Sequence, residues 1–249
     1  MVENGVFKCI KDQQFREADA DGYIGMKAYL EYFQDAASGY MYNFHWDNIT
    51  VHEKYGVGWL LLKYHMVMHS RTLYDNDLDL ECWIEKNRHP AAVIFNLRIL
   101  EKGMLLAEGR LESCLMDMGK QRVVKPEVIG LDRELALDMR VEGAEFGRYT
   151  DSIEGAEYIY EHVVRYSDLD NNDHVNNLNY MPMMQNAFDA DFHRTHVLAE
   201  MEIQYKKQCV YGEKLKIYRK QEGEEYRVLV VKEDGVAAAV AMMRFCCKQ

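Results

Sequence analysis

Apolar side chains recur along this chain in two rhythms, one with the period of a helix and one that changes side at every residue. From Met26 they fall at Tyr29, Leu30, Phe33, Ala37, Tyr40 and Met41, with Glu31, Gln34 and Asp35 opposite, which predicts an amphipathic helix over 26–41. Residues 6–18 read as a strand that ends at the stretch DADGYIG. Residues 44–56 read as a loop or short helix, and 59–70, 72–87, 91–103 and 104–117 read as consecutive strands, with turns at 74–77, 88–90 and 102–103. One helix followed by an antiparallel meander implies an α+β layer in which the helix covers one face of the sheet.

Residues 117–155 lose this alternation, and LDRELALDMRVEG within them predicts a short charged helix at most. Then the pattern restarts. The run EYIYEHVVRYSDLDNNDHVNNLNYM resembles FKCIKDQQFREADADGYIGMKAYL when Arg165 is set on Arg16 and Asp168 on Asp19, an offset of 149. Further on, 210–217 matches 73–80 at an offset of 137, and 233–239 matches 101–107 at 132. The offsets shrink steadily, as expected of two copies of one unit, the second with shorter loops. The expected organisation is a domain over 1–135, a connector over 136–153 and a second domain over 154–249, each a long helix on an antiparallel sheet.

The second copy carries the densest polar stretch of the chain, DLDNNDHVNN at 168–177. An apolar series of helical period follows at Tyr180, Met183, Met184, Ala187 and Phe188, so a strand end turns here into a helix that Asn176 or Asn177 can cap. Asp170, Asn172 and His174 occupy every second position and share a side wherever the backbone is extended. A carboxylate, an amide and an imidazole at a helix start are what carbonyl chemistry with water requires: a proton acceptor, neutral donors for an oxyanion and a favourable dipole. The first copy has Gly22, Tyr23, Ile24 and Gly25 in the corresponding stretch. Residues dictated by the fold alone would be needed in both copies, so this asymmetry points to chemistry at 168–177.

Composition narrows the field. Of 249 residues, 48% are hydrophobic and 12% aromatic, as in an ordered globular protein. No apolar run is long enough to span a bilayer, and the first residues lack the look of a signal or transit peptide, so a cytoplasmic protein is expected. Six cysteines without paired spacing predict reduced thiols. A net charge of −11 argues against nucleic acid as a partner. The remaining histidines lack ligand spacing, and no Gly-rich phosphate loop or G-x-S-x-G elbow occurs, so no metal and no cofactor are expected.

With these residues in view, the sequence resembles the acyl-acyl carrier protein thioesterase family of bacterial type, a tandem pair of hot-dog domains. DLDNNDHVNNLNYM is similar to that family's D-L-D-x-N-x-H-V-N-N signature, and the repeat and GWLLLKYHM add support. The resemblance implies hydrolysis of the thioester between a fatty acyl chain and its carrier protein, with acyl carrier protein as partner and catalytic residues at Asp170, Asn172 and His174. It implies that the second domain is catalytic and that the first holds the acyl chain. A glutamate and cysteine of the family fall on Gln208 and Cys209, in the run Tyr205-Lys206-Lys207-Gln208-Cys209. An amide cannot take a proton from water, so the base passes to Asp170 or His174, with Gln208 left to orient water. Cys209 is either a nucleophile or a spectator, and direct attack by water is the preferred reading. A hot-dog thioesterase acting on acyl-CoA and a catalytically silent acyl-thioester binder are the alternatives, and monomer and homodimer stay open.

Overall fold

The helical period at Met26 and the alternation after it are realised in a computed structural model that describes residues 2–248. The chain forms two units, one reaching to Glu145 and one beginning at Phe146. The division lies inside the segment expected as a connector.

In the first unit β1 (Val2–Glu3) and β2 (Val6–Asp12) precede α1 (Met26–Asn43) and α2 (Asn48–Tyr55). The strands β3 (Val57–Met68), β4 (Asp77–Ile84), β5 (Ala92–Glu101), β6 (Met104–Asp117) and β7 (Arg122–Val124) follow. All pair antiparallel, in the order β1-β2-β4-β5-β6-β3, with β7 on β6. Tyr29, Leu30, Phe33, Ala37 and Tyr40 of α1 are all buried, as their spacing predicts. The 44–56 segment becomes α2 because Asp47 caps it, accepting from Thr50 N at 3.0 Å, and because Gly56 at φ 67° ends it in the left-handed conformation.

The second unit has β8 (Glu157–Val163), α3 (Tyr180–Gln185), α4 (Ala190–Thr195), β9 (His196–Tyr205), β10 (Lys214–Glu222), β11 (Glu225–Lys232) and β12 (Ala237–Cys247). They pair antiparallel in the order β8-β10-β11-β12-β9, which repeats β2-β4-β5-β6-β3 of the first unit strand for strand. Each unit is α+β, a hot-dog arrangement in tandem. The long helix expected in the second unit is absent among the described residues. Pro182 lacks the N–H that a helix interior needs, so it is accommodated only within the first turn of α3. A 3-10 turn at Asn177–Asn179 precedes α3, and Asp189 caps a separate α4 by accepting from Phe192 N at 2.7 Å. The apolar period outlives the break: Tyr180, Met183, Met184, Ala187 and Phe188 are all buried.

The expected connector is bound to a sheet at each end. Leu137 joins β4 through Leu137 N to Ile84 O at 2.8 Å and Lys86 N to Leu137 O at 2.9 Å. Trp83 Nε1 donates to Met139 O, and Asn96 Oδ1 accepts from Val141 N at 2.7 Å. Beneath this strap a buried ion pair joins Arg110 to Glu85 through two guanidinium nitrogens, and Arg110 Nη1 also reaches Ala144 O. In the second unit Glu202, 1% exposed, accepts from Gly147 N and Tyr149 OH, while Gln204 donates to Gly147 O and Arg227 to Thr150 O. Buried charges persist only where partners satisfy them. Among the described residues no helix is long and apolar enough to cross a membrane. Replacing Glu85 by Ala removes the buried carboxylate from Arg110 and leaves it the exposed Glu145 carboxylate and Ala144 O. Chemical denaturation is therefore expected to show a loss toward the lower end of the roughly 3–5 kcal/mol of a broken buried pair; a loss below about 1 kcal/mol would contradict a strap anchored by this pair.

Candidate active site

The polar stretch after β8 folds as a tight turn, not as extended chain. Asp170 N donates to His174 O at 2.8 Å and Asp173 N to Asp170 O at 3.2 Å, with Asp173 in the left-handed region at φ 59°, a conformation that Asp tolerates. The Asp170 carboxylate turns back on its own loop: Oδ1 accepts from Asn172 N at 2.8 Å and His174 N at 3.4 Å. Sidedness by alternation therefore fails for 170–173. Asn172 sits exposed at the tip and His174 is half-buried. Among the described residues the side chains of Asp170, Asn172 and His174 are not hydrogen-bonded to one another, and the His174 imidazole has no hydrogen-bond partner.

Past the turn the chain runs beside 208–210. His174 bridges Val210, and Val175 N donates to Cys209 O at 2.8 Å. Paired positions share a face and neighbours alternate. Val175 and Cys209 are buried inward, so His174 and the exposed Val210 lie on the outer face. Burial pushes the Cys209 thiol up, offset only in part by the Tyr180 hydroxyl and Lys232. The thiol is thus protonated near neutrality and turned from the imidazole, the setting of an inert cysteine. Below it Glu213 accepts from Val210 N at 3.1 Å and pairs with Lys232 at 2.9 Å, and Lys232 Nζ donates to Gln208 O at 3.2 Å. Burial alone would raise the Glu213 carboxyl, but Lys232 and the Val210 amide hold it below its usual 4.5. The stability that this clamp contributes is therefore present above the unfolded carboxylate pKa and lost as pH falls through the lowered folded value.

The first unit contains the same backbone frame. Asp19 N donates to Tyr23 O at 2.8 Å, Gly22 N to Asp19 O at 2.9 Å, Gly22 has φ 84°, Tyr23 bridges Leu73 and Ile24 N donates to Thr72 O. These bonds match Asp19 to Asp170 and Tyr23 to His174, an offset of 151 where sequence identity suggested 149. Several aspartates crowd both junctions, so identity paired the wrong ones, while the offset of 137 for the facing segment agrees with the bridges at Leu73 and Val210. In this register Asp21 stands for Asn172, Tyr23 for His174 and Arg71 for Gln208. Arg71 fills its junction: it makes two bonds to Asp21, at 2.7 and 2.8 Å, and lies 4.7 Å over the Tyr23 ring. Gln208 thus stands, in this register, at the position that Arg71 has in the first unit. Sequence reasoning missed Arg71, and a repeated acid six residues after a base, Lys11–Glu17 and His162–Asp168, was the signal that would have given the register.

Among the described residues no group of three His, Cys, Asp or Glu side chains could hold a metal ion. In comparisons with known proteins, residues 152–245 match the family described as acyl-ACP thioesterase C-terminal domain. A search of curated proteins finds no match. Among solved structures, an acyl-ACP thioesterase from Bacteroides thetaiotaomicron superposes with a TM-score of 0.88 at 16% identity, covering 98% of each chain. The 12:0-ACP thioesterase from Umbellularia californica superposes at 0.87 with 19% identity over 100% of both chains. At these identities the superpositions show a shared fold.

A buried, protonated Cys209 is expected to resist alkylation: iodoacetamide near neutral pH should label the exposed Cys246 and Cys247 first and Cys209 only on unfolding. Mass spectrometry of the labelled peptides checks this, and early labelling of Cys209 would reopen its role as nucleophile.

Proposed function

We propose that the chain is a member of the acyl-ACP thioesterase family, whose C-terminal domain residues 152–245 match, and that it hydrolyses the thioester between a fatty acyl chain and acyl carrier protein through the turn at 170–174. The observation that carries this reading is the contrast between matched junctions. The first unit has a carboxylate, a phenol and a guanidinium locked together at 21, 23 and 71, whereas the second has Asn172, a His174 imidazole without a hydrogen-bond partner and Gln208. Asp170 has a counterpart in Asp19, which assigns it to the frame.

In this reading neutral His174 takes a proton from water as the water oxygen attacks the thioester carbonyl. The amides of Asn172 and Gln208 donate to the oxyanion that forms. The helix dipole expected at this point counts for little, because α3 has six residues and the Asn176 side chain already caps Leu178 N. Collapse of the tetrahedral intermediate breaks the carbon–sulfur bond, and protonated His174 returns its proton to the leaving thiolate. The products are the free fatty acid and the carrier's pantetheine thiol. Asp170 acts through the His174 and Asn172 amides, keeping the ring and the tip in place. The first unit, its junction closed by an ion pair, is left to hold the acyl chain. We assign the reaction to the cytoplasm, whose reducing conditions suit six free cysteines.

Release of fatty acid from acyl carrier protein and acyl-CoA substrates tests this. His174→Ala is expected to lower kcat by about 10²-fold or more. Asp170→Asn keeps an oxygen acceptor for the turn amides and is expected to lose less than His174→Ala. Equal collapse of both would move the base to Asp170, and no acid released by the unaltered protein from either substrate would contradict hydrolysis.

A further inference from the structure

Asp168, two residues before the turn, is bonded on both its main-chain and side-chain sides. Its carbonyl oxygen accepts from Asn176 N at 2.8 Å and Asn179 Nδ2 at 3.0 Å, so it ties the entry of the turn to its exit. Its carboxylate Oδ2 accepts from Arg165 N at 2.7 Å and meets His162 Nε2 at 2.8 Å. The Asp168 side chain is 16% exposed and that of His162 27%, so the pair is shielded more than an ordinary surface pair.

The first unit repeats the device. Glu17, which matches Asp168, accepts from Gln14 N at 2.8 Å and meets Lys11 Nζ at 3.5 Å, and Lys11 matches His162. A basic side chain near the end of β2 or β8 therefore meets an acid in the following 3-10 turn in both copies. The two copies have no reacting group in common at 172 or 174, so the pair belongs to the frame of the turn and not to its chemistry. His162 sits on β8 opposite Leu215, a fixed point of the sheet, whereas Asp168 lies in the loop it has to hold.

We propose that His162 is a positioning residue for the turn at 170–174. It anchors Asp168 to β8, and Asp168 in turn fixes the separation of Leu169 and Asn176, between which His174 is presented. This inference rests on the reading of the turn as the catalytic element. A displacement of about 1 Å at a reacting group costs on the order of 10²-fold in rate. Loss of the anchor therefore acts on kcat and leaves KM in place, since His162 lies outside the groups assigned to the substrate.

The test compares His162→Leu with His162→Lys, the residue that the first unit uses. Two readouts run in parallel: kcat and KM on an acyl carrier protein substrate, and amide hydrogen exchange over 168–180. The Leu variant is expected to lose about 10- to 100-fold in kcat at near-constant KM and to exchange the Asn176 amide faster, while the Lys variant recovers both. Should the Leu variant not fold, Asp168→Asn, which keeps an acceptor for Arg165 N and removes the charge, is expected to show the same two changes. A Leu variant with wild-type kcat and wild-type exchange, or a Lys variant as impaired as the Leu variant, would overturn the proposal. If the unaltered protein releases no acid, the catalytic reading fails, and the exchange arm still decides whether His162 holds the turn.

Discussion

The main-chain bonds from Asp170 N to His174 O and from Val175 N to Cys209 O are the constraint on which the rest of the second unit depends. They force a left-handed residue at 173, set His174 and Val210 outward and turn Val175 and Cys209 into the core. The first unit meets the same constraint with Gly22, Tyr23 and Thr72, so the fold asks only for the frame. Within that frame one copy spends its outward positions on an ion pair stacked on an aromatic ring, and the other on an imidazole and two amides. Function follows from what the fold leaves unspecified.

The supports of the frame are also repeated. Lys11–Glu17 and His162–Asp168 hold the entry of each turn, and the strap from 137 to 150 is fastened by buried acids, Glu85 in one unit and Glu202 in the other. Such charges would be costly alone. They are tolerated because each has several donors, and the result is a segment without regular structure whose course is nevertheless fixed.

Much of this was legible in the pattern of residues. The period of α1, the strands of the first meander and the duplication all follow from side-chain spacing, because burial on one face is a local constraint. The candidate site was legible as a composition, a cluster of Asp, Asn and His in one copy only. Its geometry was not. The register of the repeat depends on which amide meets which carbonyl, and the crowd of aspartates hid it. The split of α3 from α4 follows from Pro182 and the Asp189 cap, two residues that an apolar period does not weigh. The inward direction of Cys209 and the correspondence of Gln208 with Arg71 come from pairing between segments more than thirty residues apart, which no local pattern contains.

The most direct test transplants the closed junction into the open one. Asn172→Asp, His174→Tyr and Gln208→Arg together give the second unit the residues of Asp21, Tyr23 and Arg71. Fatty acid release from acyl carrier protein substrates is then measured beside thermal unfolding. The account predicts a folded protein of undiminished stability that releases no fatty acid. Hydrolysis that persists in this folded variant would contradict the claim that these three positions carry the chemistry.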